Sequence, residues 1–141
     1  DAGTPGISDP GYPLIQAALA EGIKIEVIPG PCAAIMALTA SGLPAHRFIF
    51  EGFLPVKSGA RRKVLETLKD FDGTAIFYES PHRIEKTLKD IEEVLEDATV
   101  VCARELTKIF EEVKQGTAKE LQAHFLKHPP KGEFVVLIKS K

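Results

Sequence analysis

Three charged clusters in this chain of 141 residues have residue types and spacings suited to chemistry. Two set a carboxylate among basic side chains just past a hydrophobic run, Phe77-Tyr78-Glu79-Ser80-Pro81-His82-Arg83 and Arg104-Glu105-Leu106-Thr107-Lys108. Each reads two ways. Glu79 and Arg83 are spaced to pair across one turn of a capped helix, and Arg104 to Lys108 to form a salt-bridged turn. Equally, the carboxyl ends of strands in open α/β sheets are where sites form. The third cluster, Lys57, Arg61, Arg62 and Lys63, suits either a solvated helix face or contacts to phosphates, whose oxygens guanidinium groups bind in pairs. No Ser-His-Asp or Cys-His set can be assembled from the sequence.

Two further stretches suit ligand contact through backbone rather than side chains. Asp1-Ala2-Gly3-Thr4-Pro5-Gly6-Ile7-Ser8-Asp9-Pro10-Gly11 holds three glycines in positions 1–6 and 11 and two prolines. No regular element suits that composition, so it is a loop with specified φ/ψ. It is not a phosphate-binding P-loop, because no Gly-Lys-Ser/Thr follows, and its glycine spacing is not that of a dinucleotide fingerprint. Pro29-Gly30-Pro31-Cys32-Ala33-Ala34 is a second sharp turn ahead of a helix. A rigid turn or a ligand loop fits either stretch alone, but two of them at strand-to-helix edges favour a shared pocket. The strand that ordinarily leads into such an opening loop does not precede it, so the sequence is expected to start inside a domain.

The elements that must position these groups follow from periodicity. Asp9-Pro10 reads as a cap with proline in the first turn, and Tyr12, Ile15, Ala18 and Leu19 recur at helical spacing up to Gly22. The alternation of Ile23 to Ile28 predicts a strand, and the small apolar run Cys32 to Ala40 a short buried helix. After a linker at Leu43 to Arg47, Phe48 to Phe53 predicts a strand. Ser58 to Phe71 predicts an amphipathic helix with Ala60, Val64, Leu65, Leu68 and Phe71 inward and Arg61, Arg62, Lys63, Glu66 and Lys69 outward. Thr74 to Tyr78 is expected as a strand, Ser80 as the cap of a helix through Ile84, Leu88, Ile91, Val94 and Leu95, and Thr99 to Ala103 as a central strand covered on both faces. Ile109 to Lys114 predicts a more exposed strand, Thr117-Ala118-Lys119-Glu120 a capping box, and Phe134 to Ile138 a last apolar strand. This is an α/β pattern with a mostly parallel or mixed sheet. Residues 1–46 are expected to be the second half of one α/β domain and 47–141 a complete second one.

Bulk properties exclude several classes. Hydrophobic content of 44% and charged content of 27% are those of a globular chain. A net charge of −2 supplies no global attraction to nucleic acid, so any such contact needs a local basic patch. No apolar run reaches membrane-spanning length, so no membrane partner is expected. Cys32 and Cys102 sit among apolar residues, as suits a reducing, cytoplasmic setting. They form no metal-ligand pattern with His46, His82, His124 or His128, so no metal is expected.

Read together, the opening loop, Pro-Gly-Pro-Cys-Ala-Ala, Ser-Gly-Leu-Pro-Ala-His-Arg-Phe, Glu-Gly-Phe-Leu-Pro, Phe-Tyr-Glu-Ser-Pro-His-Arg and Ala-Arg-Glu-Leu-Thr-Lys resemble, in this order, the ribosomal RNA branch of the tetrapyrrole methylase superfamily. The resemblance implies transfer of a methyl group from S-adenosylmethionine to a ribose 2′-oxygen of a cytidine in small-subunit (16S) ribosomal RNA. It implies two α/β domains with the donor between them, a homodimer and a cytoplasmic location. Related folds methylate carbon atoms of uroporphyrinogen or precorrin rings, which is the alternative substrate class; a catalytically silent dimerisation or RNA-docking module is the other alternative.

By position, Ala2, Gly3, Thr4, Pro5, Ile7 and Ser8 match the family's first donor loop, with Thr4-Pro5 where the superfamily usually has Asp-Pro. Pro31, Cys32, Ala33 and Ala34 match the second donor loop. Tyr78 and Glu79 match the strand end that closes over the donor, and Glu133 the place where the last strand passes the adenosine. A leading strand and glycine-rich turn complete the family's donor site and are not in this sequence, so the chain alone is expected to be inactive. Methyl transfer to a hydroxyl benefits from a general base, for which Glu79 and Glu105 are candidates and Lys108 a weaker one. Lys57, Arg61 and Arg62 are the expected contacts to the RNA backbone.

Overall fold

The structure, a computed structural model, describes residues 3–141. Its helices and strands run α1 (Tyr12–Ala20), α2 (Ala33–Ser41), β1 (Phe48–Phe53), α3 (Ser58–Glu66), β2 (Thr74–Glu79), α4 (Ile84–Val94), β3 (Thr99–Arg104), β4 (Glu112–Gly116), α5 (Ala118–Lys127) and β5 (Phe134–Lys139). The contacts part the chain into two compact units between Ala33 and Ala34, ahead of the domain boundary expected at 46/47.

In the first unit, α1 starts two residues later than Asp9-Pro10 predicts. Gly11 is its N-cap and Pro13 lies in its first turn, where a missing N–H costs nothing. The Asp9 carboxylate instead accepts the Gly6 N–H at 3.4 Å, which tightens the opening loop. The strand expected over Ile23 to Ile28 does not form. Alternation makes a segment fit to be a strand, but a strand exists only by pairing. Among the described residues nothing pairs with this segment, whose side chains are all exposed.

The second unit is built on one five-stranded sheet in the order β1-β2-β5-β3-β4. Only β1 and β2 are parallel, joined through α3, and the other three pairings are antiparallel. The mixed form of the expected sheet is therefore the one adopted, rather than the mostly parallel form. The cause is β5. It inserts antiparallel between β2 and β3, which run in the same direction and are linked by α4.

One face of the sheet presents Ala75, Phe77, Val100, Cys102, Phe134, Val136 and Ile138 to Leu65 and Leu68, to Ile84, Leu88 and Ile91 of α4, and to Leu121 and Phe125 of α5. All are buried. Ile76, Val101, Ala103, Val135 and Leu137 on the opposite face are buried as well, which is why β2, β3 and β5 read as continuous apolar runs. Deep burial also pushes the Cys102 thiol up, with Glu112 adding to the effect. That keeps it a packing group rather than a nucleophile.

Three local expectations shift. Strand β4 begins at Glu112, because residues 105–111 form a turn in which Glu105 and Thr107 take φ of +49° and +67°. Arg83 rather than Ser80 is the N-cap of α4, and the Ser80 carbonyl accepts the Arg83 and Ile84 N–H groups. On α3, Arg61 is buried and Ala60 exposed, the reverse of the amphipathic reading.

Candidate functional site

The two glycine-proline loops of the first unit lie side by side. Thr4 donates its N–H to the Pro31 carbonyl at 2.9 Å and its hydroxyl to the Gly30 carbonyl at 2.7 Å. The approach is so close that only glycine fits on either side. A Cβ on Gly3 would stand 2.7 Å from the Pro31 oxygen, and one on Gly30 would stand 3.0 Å from the Gly3 carbonyl carbon. Gly3 has φ +99° and Ser8 φ +54°, both in the left-handed region that favours glycine or a short polar side chain. The expectation that these loops belong together thus has a backbone explanation. Thr4 spends both donors on the partner loop, while Pro5, Ile7 and Ser8 face solvent and Cys32 is half-buried. Ala2 lies outside the described residues.

In the second unit, strand register gathers the other candidates at one end of the sheet. Glu79, the last residue of β2, pairs with Phe134, the first of β5, and Phe134 pairs on its other side with Arg104, the last of β3. Arg104 pairs in turn with Glu112 at the start of β4, and Phe53 at the end of β1 with Tyr78. Tyr78 stacks edge-on against Phe50 and Phe53, with ring centres 4.9 and 5.8 Å away. Both charged motifs therefore stand at the carboxyl ends of β2 and β3, beside the start of β5. Ala34 is buried in α2.

Glu79 does not present a base. Its side chain is 1% exposed, and it accepts the Ser80 N–H at 2.8 Å and the Thr87 hydroxyl at 2.7 Å. Arg83 Nε lies 3.2 Å from it, although that N–H is not directed at any acceptor. Arg83 instead donates through its terminal nitrogen to the Leu54 carbonyl at 2.6 Å. A carboxylate so enclosed fixes the β2–α4 turn.

Glu105 is similarly engaged, but at the surface. Its Oε1 accepts Lys108 Nζ at 3.0 Å and the Glu133 N–H at 3.2 Å, while its own N–H donates to the Glu133 carbonyl at 3.3 Å. The Lys108 hydrogen bond, reinforced by the Glu133 N–H, holds its carboxyl below the ordinary range against a smaller upward push from burial. Lys108 is correspondingly held protonated by Glu105. An acid with a depressed pKa is a weak proton acceptor, so neither Glu105 nor Lys108 is poised as a base.

The basic cluster is mostly turned inward. Arg61, 3% exposed, binds Asp90 Oδ2 at 2.7 Å and the Pro55 and Val56 carbonyls. Its guanidinium is thus turned inward, away from the solvated face expected to meet RNA. Arg62, half-exposed, pairs with Asp90 Oδ1 at 2.8 Å and with Glu93. Lys57 alone of the three falls among the exposed residues.

Sequence reasoning missed the carboxylates that organise these groups. Asp90 takes Arg61, Arg62 and the Ser58 hydroxyl together. Glu112 lies 2.5 Å from Arg104 Nε and 2.8 Å from His124 Nε2. Among the described residues, neither Asp90 nor Glu112 has a partner within its own element that would mark it in the sequence; their cations come from α3, β3 and α5. Gly132, with φ of +79° and in contact with the Glu105 carboxylate, is part of the sheet-end rim.

A family model described as Tetrapyrrole (Corrin/Porphyrin) Methylases matches residues 1–122. Over 144 residues the chain is 49% identical to a Haemophilus influenzae protein named ribosomal RNA small subunit methyltransferase I, covering 100% of this chain and 51% of that protein. A Thermotoga maritima protein of the same name is 45% identical over 141 residues, covering 100% of this chain and 63% of it. The chain thus spans between 51% and 63% of the length of these two relatives. Among solved structures it superposes on the methyltransferase CobJ with a TM-score of 0.71 at 22% identity, covering 99% of this chain and 62% of that one. It also matches a Thermus thermophilus uroporphyrin-III C-methyl transferase complexed with S-adenyl homocysteine, with a TM-score of 0.61, 20% identity, and 96% and 62% coverage. At such identities these two superpositions bear on fold alone.

Proposed function

The chain belongs to the tetrapyrrole methylase family, and from that premise we propose that it serves S-adenosylmethionine-dependent methylation of a ribose 2′-oxygen of a cytidine in small-subunit ribosomal RNA. The observation that carries the RNA substrate over a tetrapyrrole is the contrast in likeness. Identity is 49% and 45% to the two proteins named for ribosomal RNA, and 22% and 20% to the two superposed methyltransferases. A homodimer and a cytoplasmic setting complete this reading.

The donor-facing chemistry of the described residues fits such a ligand. S-adenosylmethionine carries no phosphate, and its adenine edge and amino-acid end take backbone N–H and C=O groups. The Gly3–Thr4 and Gly30–Pro31 segments pack backbone against backbone, with the Thr4 N–H and hydroxyl on the Pro31 and Gly30 carbonyls, and this supports the reading by bringing the two expected donor loops together. Gly3, Thr4, Pro5, Ile7, Ser8, Pro31, Cys32 and Ala33 of the first unit are proposed as donor contacts, and so, taken separately, are Ala34, Tyr78, Glu79 and Glu133 of the second. Once bound, the sulfonium supplies an activated methyl group. The protein's own contribution is to align the hydroxyl with it and exclude water, which can be worth about 7 kcal/mol or more of a barrier.

The test supplies the protein carrying this chain with labelled donor and either small ribosomal subunits or a uroporphyrinogen. Label on a 2′-oxygen of the RNA is the expected result. Label in the tetrapyrrole instead would reassign the substrate, and label in neither would leave a docking module.

A further inference from the structure

We infer that Glu105 is a positioning residue for the methyl donor, acting through the backbone of Gly132 and Glu133; this rests on the function proposed above. The β3–β5 ladder ends at the pair Arg104 and Phe134. Beyond it Glu105 continues the pairing by other means. Its N–H meets the Glu133 carbonyl at 3.3 Å, and its side-chain Oε1 takes the Glu133 N–H at 3.2 Å, the bond a strand would have made with a backbone carbonyl.

Two features show that this clasp is specified rather than incidental. Glu105 holds φ +49°, a left-handed conformation disfavoured for a non-glycine residue. Gly132 takes φ +79°, and a Cβ there would overlap the Glu105 carboxylate. The carboxylate occupies the space that any other residue at 132 would fill. Lys108 Nζ, 3.0 Å from the same oxygen, keeps it charged.

The clasp lies at the surface, for Glu133 and Lys131 are exposed. What it does is fix the direction of an exposed rim at the sheet end where Tyr78 and Glu133 would meet the donor. Both backbone groups of Glu133 hydrogen-bond to Glu105, which ties the direction of the rim at Glu133 to the Glu105 side chain. A general base at Glu105 would be chemically different, since it would need the carboxylate free.

The test measures S-adenosylhomocysteine binding by calorimetry, urea unfolding and single-turnover methylation for the protein and for Glu105→Ala, Glu105→Gln and Gly132→Ala. Loss of a hydrogen bond to a charged acceptor predicts roughly tenfold weaker binding for Glu105→Ala. Glu105→Gln keeps an oxygen for the Glu133 N–H and should rescue affinity to within about threefold. Gly132→Ala, which displaces the carboxylate from the other side, should match Glu105→Ala and covers the case in which that variant does not fold. Unchanged affinity in both Ala variants overturns the inference. So does retained affinity with lost turnover in Glu105→Gln, which would mark a base. Absence of ligand binding in the unsubstituted protein would instead overturn the proposed function.

Discussion

Arg61 and Asp90 lie 29 residues apart and form a buried ion pair, with Arg61 Nε 2.7 Å from Asp90 Oδ2 and both side chains 4% exposed. It joins α3 to α4 beneath the surface on which the basic cluster was expected to meet RNA. A charge pair inside a protein is weak evidence of net stabilisation, but breaking it strands the remaining charge. Asp90→Ala leaves Arg61 buried without a carboxylate and also releases Ser58 and Arg62. A loss of about 3–5 kcal/mol is expected, read as a lower urea midpoint. An unchanged midpoint would show that water reaches the pair.

The same site sets an acid limit on stability. Burial, the largest single influence, pushes the Asp90 carboxyl up, but hydrogen bonds from Arg62, Ser58 and Arg61 outweigh it and hold it below the usual value. A carboxyl lowered in the folded state contributes stability that is complete above its unfolded pKa, about 3.9, and is lost as pH falls through the folded one. Glu112 acts with the same sign: burial again pushes up, and Arg104 and His124 more than offset it. The stability gap between the protein and Asp90→Asn should therefore be level from neutrality down to about pH 5 and narrow below about pH 4. A gap that widened on acidification would contradict this.

For RNA contact, the geometry separates residues that composition groups together. Lys57 is exposed at the N-cap of α3, whereas Arg61 is enclosed. If Lys57 meets a phosphate, Lys57→Glu should weaken binding to small-subunit RNA and reduce the slope of log affinity against log salt by about 1. Arg61→Ala should instead lower the unfolding midpoint. Salt titration of RNA binding checks both, and an unaltered slope for Lys57→Glu would remove that residue from the interface.

How much of this was legible depended on the range of each interaction. The Thr117 capping box lies within four residues, and it forms as read: the Thr117 hydroxyl accepts the Glu120 N–H at 3.2 Å and the Glu120 carboxylate accepts the Thr117 N–H at 2.8 Å. The apolar run at Thr99 marks a central strand because both faces are covered. By contrast, nothing near Arg61 announces Asp90, so a buried arginine reads as a solvated one. The antiparallel insertion of β5 between β2 and β3 is likewise a matter of partner choice, which alternation does not encode. Ile23 to Ile28 fails for the same reason, having the period of a strand without a ladder. In the site, the loops and strand ends could be found by glycine, proline and charge, but whether Glu79 and Glu105 were free or engaged depended on Thr87 and Glu133, each fixed by tertiary packing.

Gly3 offers the sharpest test of the paired loops. With φ +99° and a would-be Cβ only 2.7 Å from the Pro31 carbonyl oxygen, alanine there is strained twice over. Forcing a non-glycine residue into such backbone costs about 1–3 kcal/mol, and the clash pushes the loops apart, breaking the Thr4 bonds to Gly30 and Pro31. If these loops form a wall of the donor site, Gly3→Ala should weaken S-adenosylhomocysteine binding roughly 5- to 150-fold, the same energy expressed as affinity. Unfolding of the second unit should not follow, since its main core cluster runs from Leu54 to Ile138 with Ile49 packed against it, all within that unit. Thr4→Val is the companion variant: it removes the hydroxyl bond to Gly30 while keeping the N–H bond to Pro31, so a smaller loss, about 1 kcal/mol or fivefold, is expected. Calorimetry on both variants ranks the effects. Wild-type affinity in Gly3→Ala would mean that the paired loops brace the chain without touching the donor.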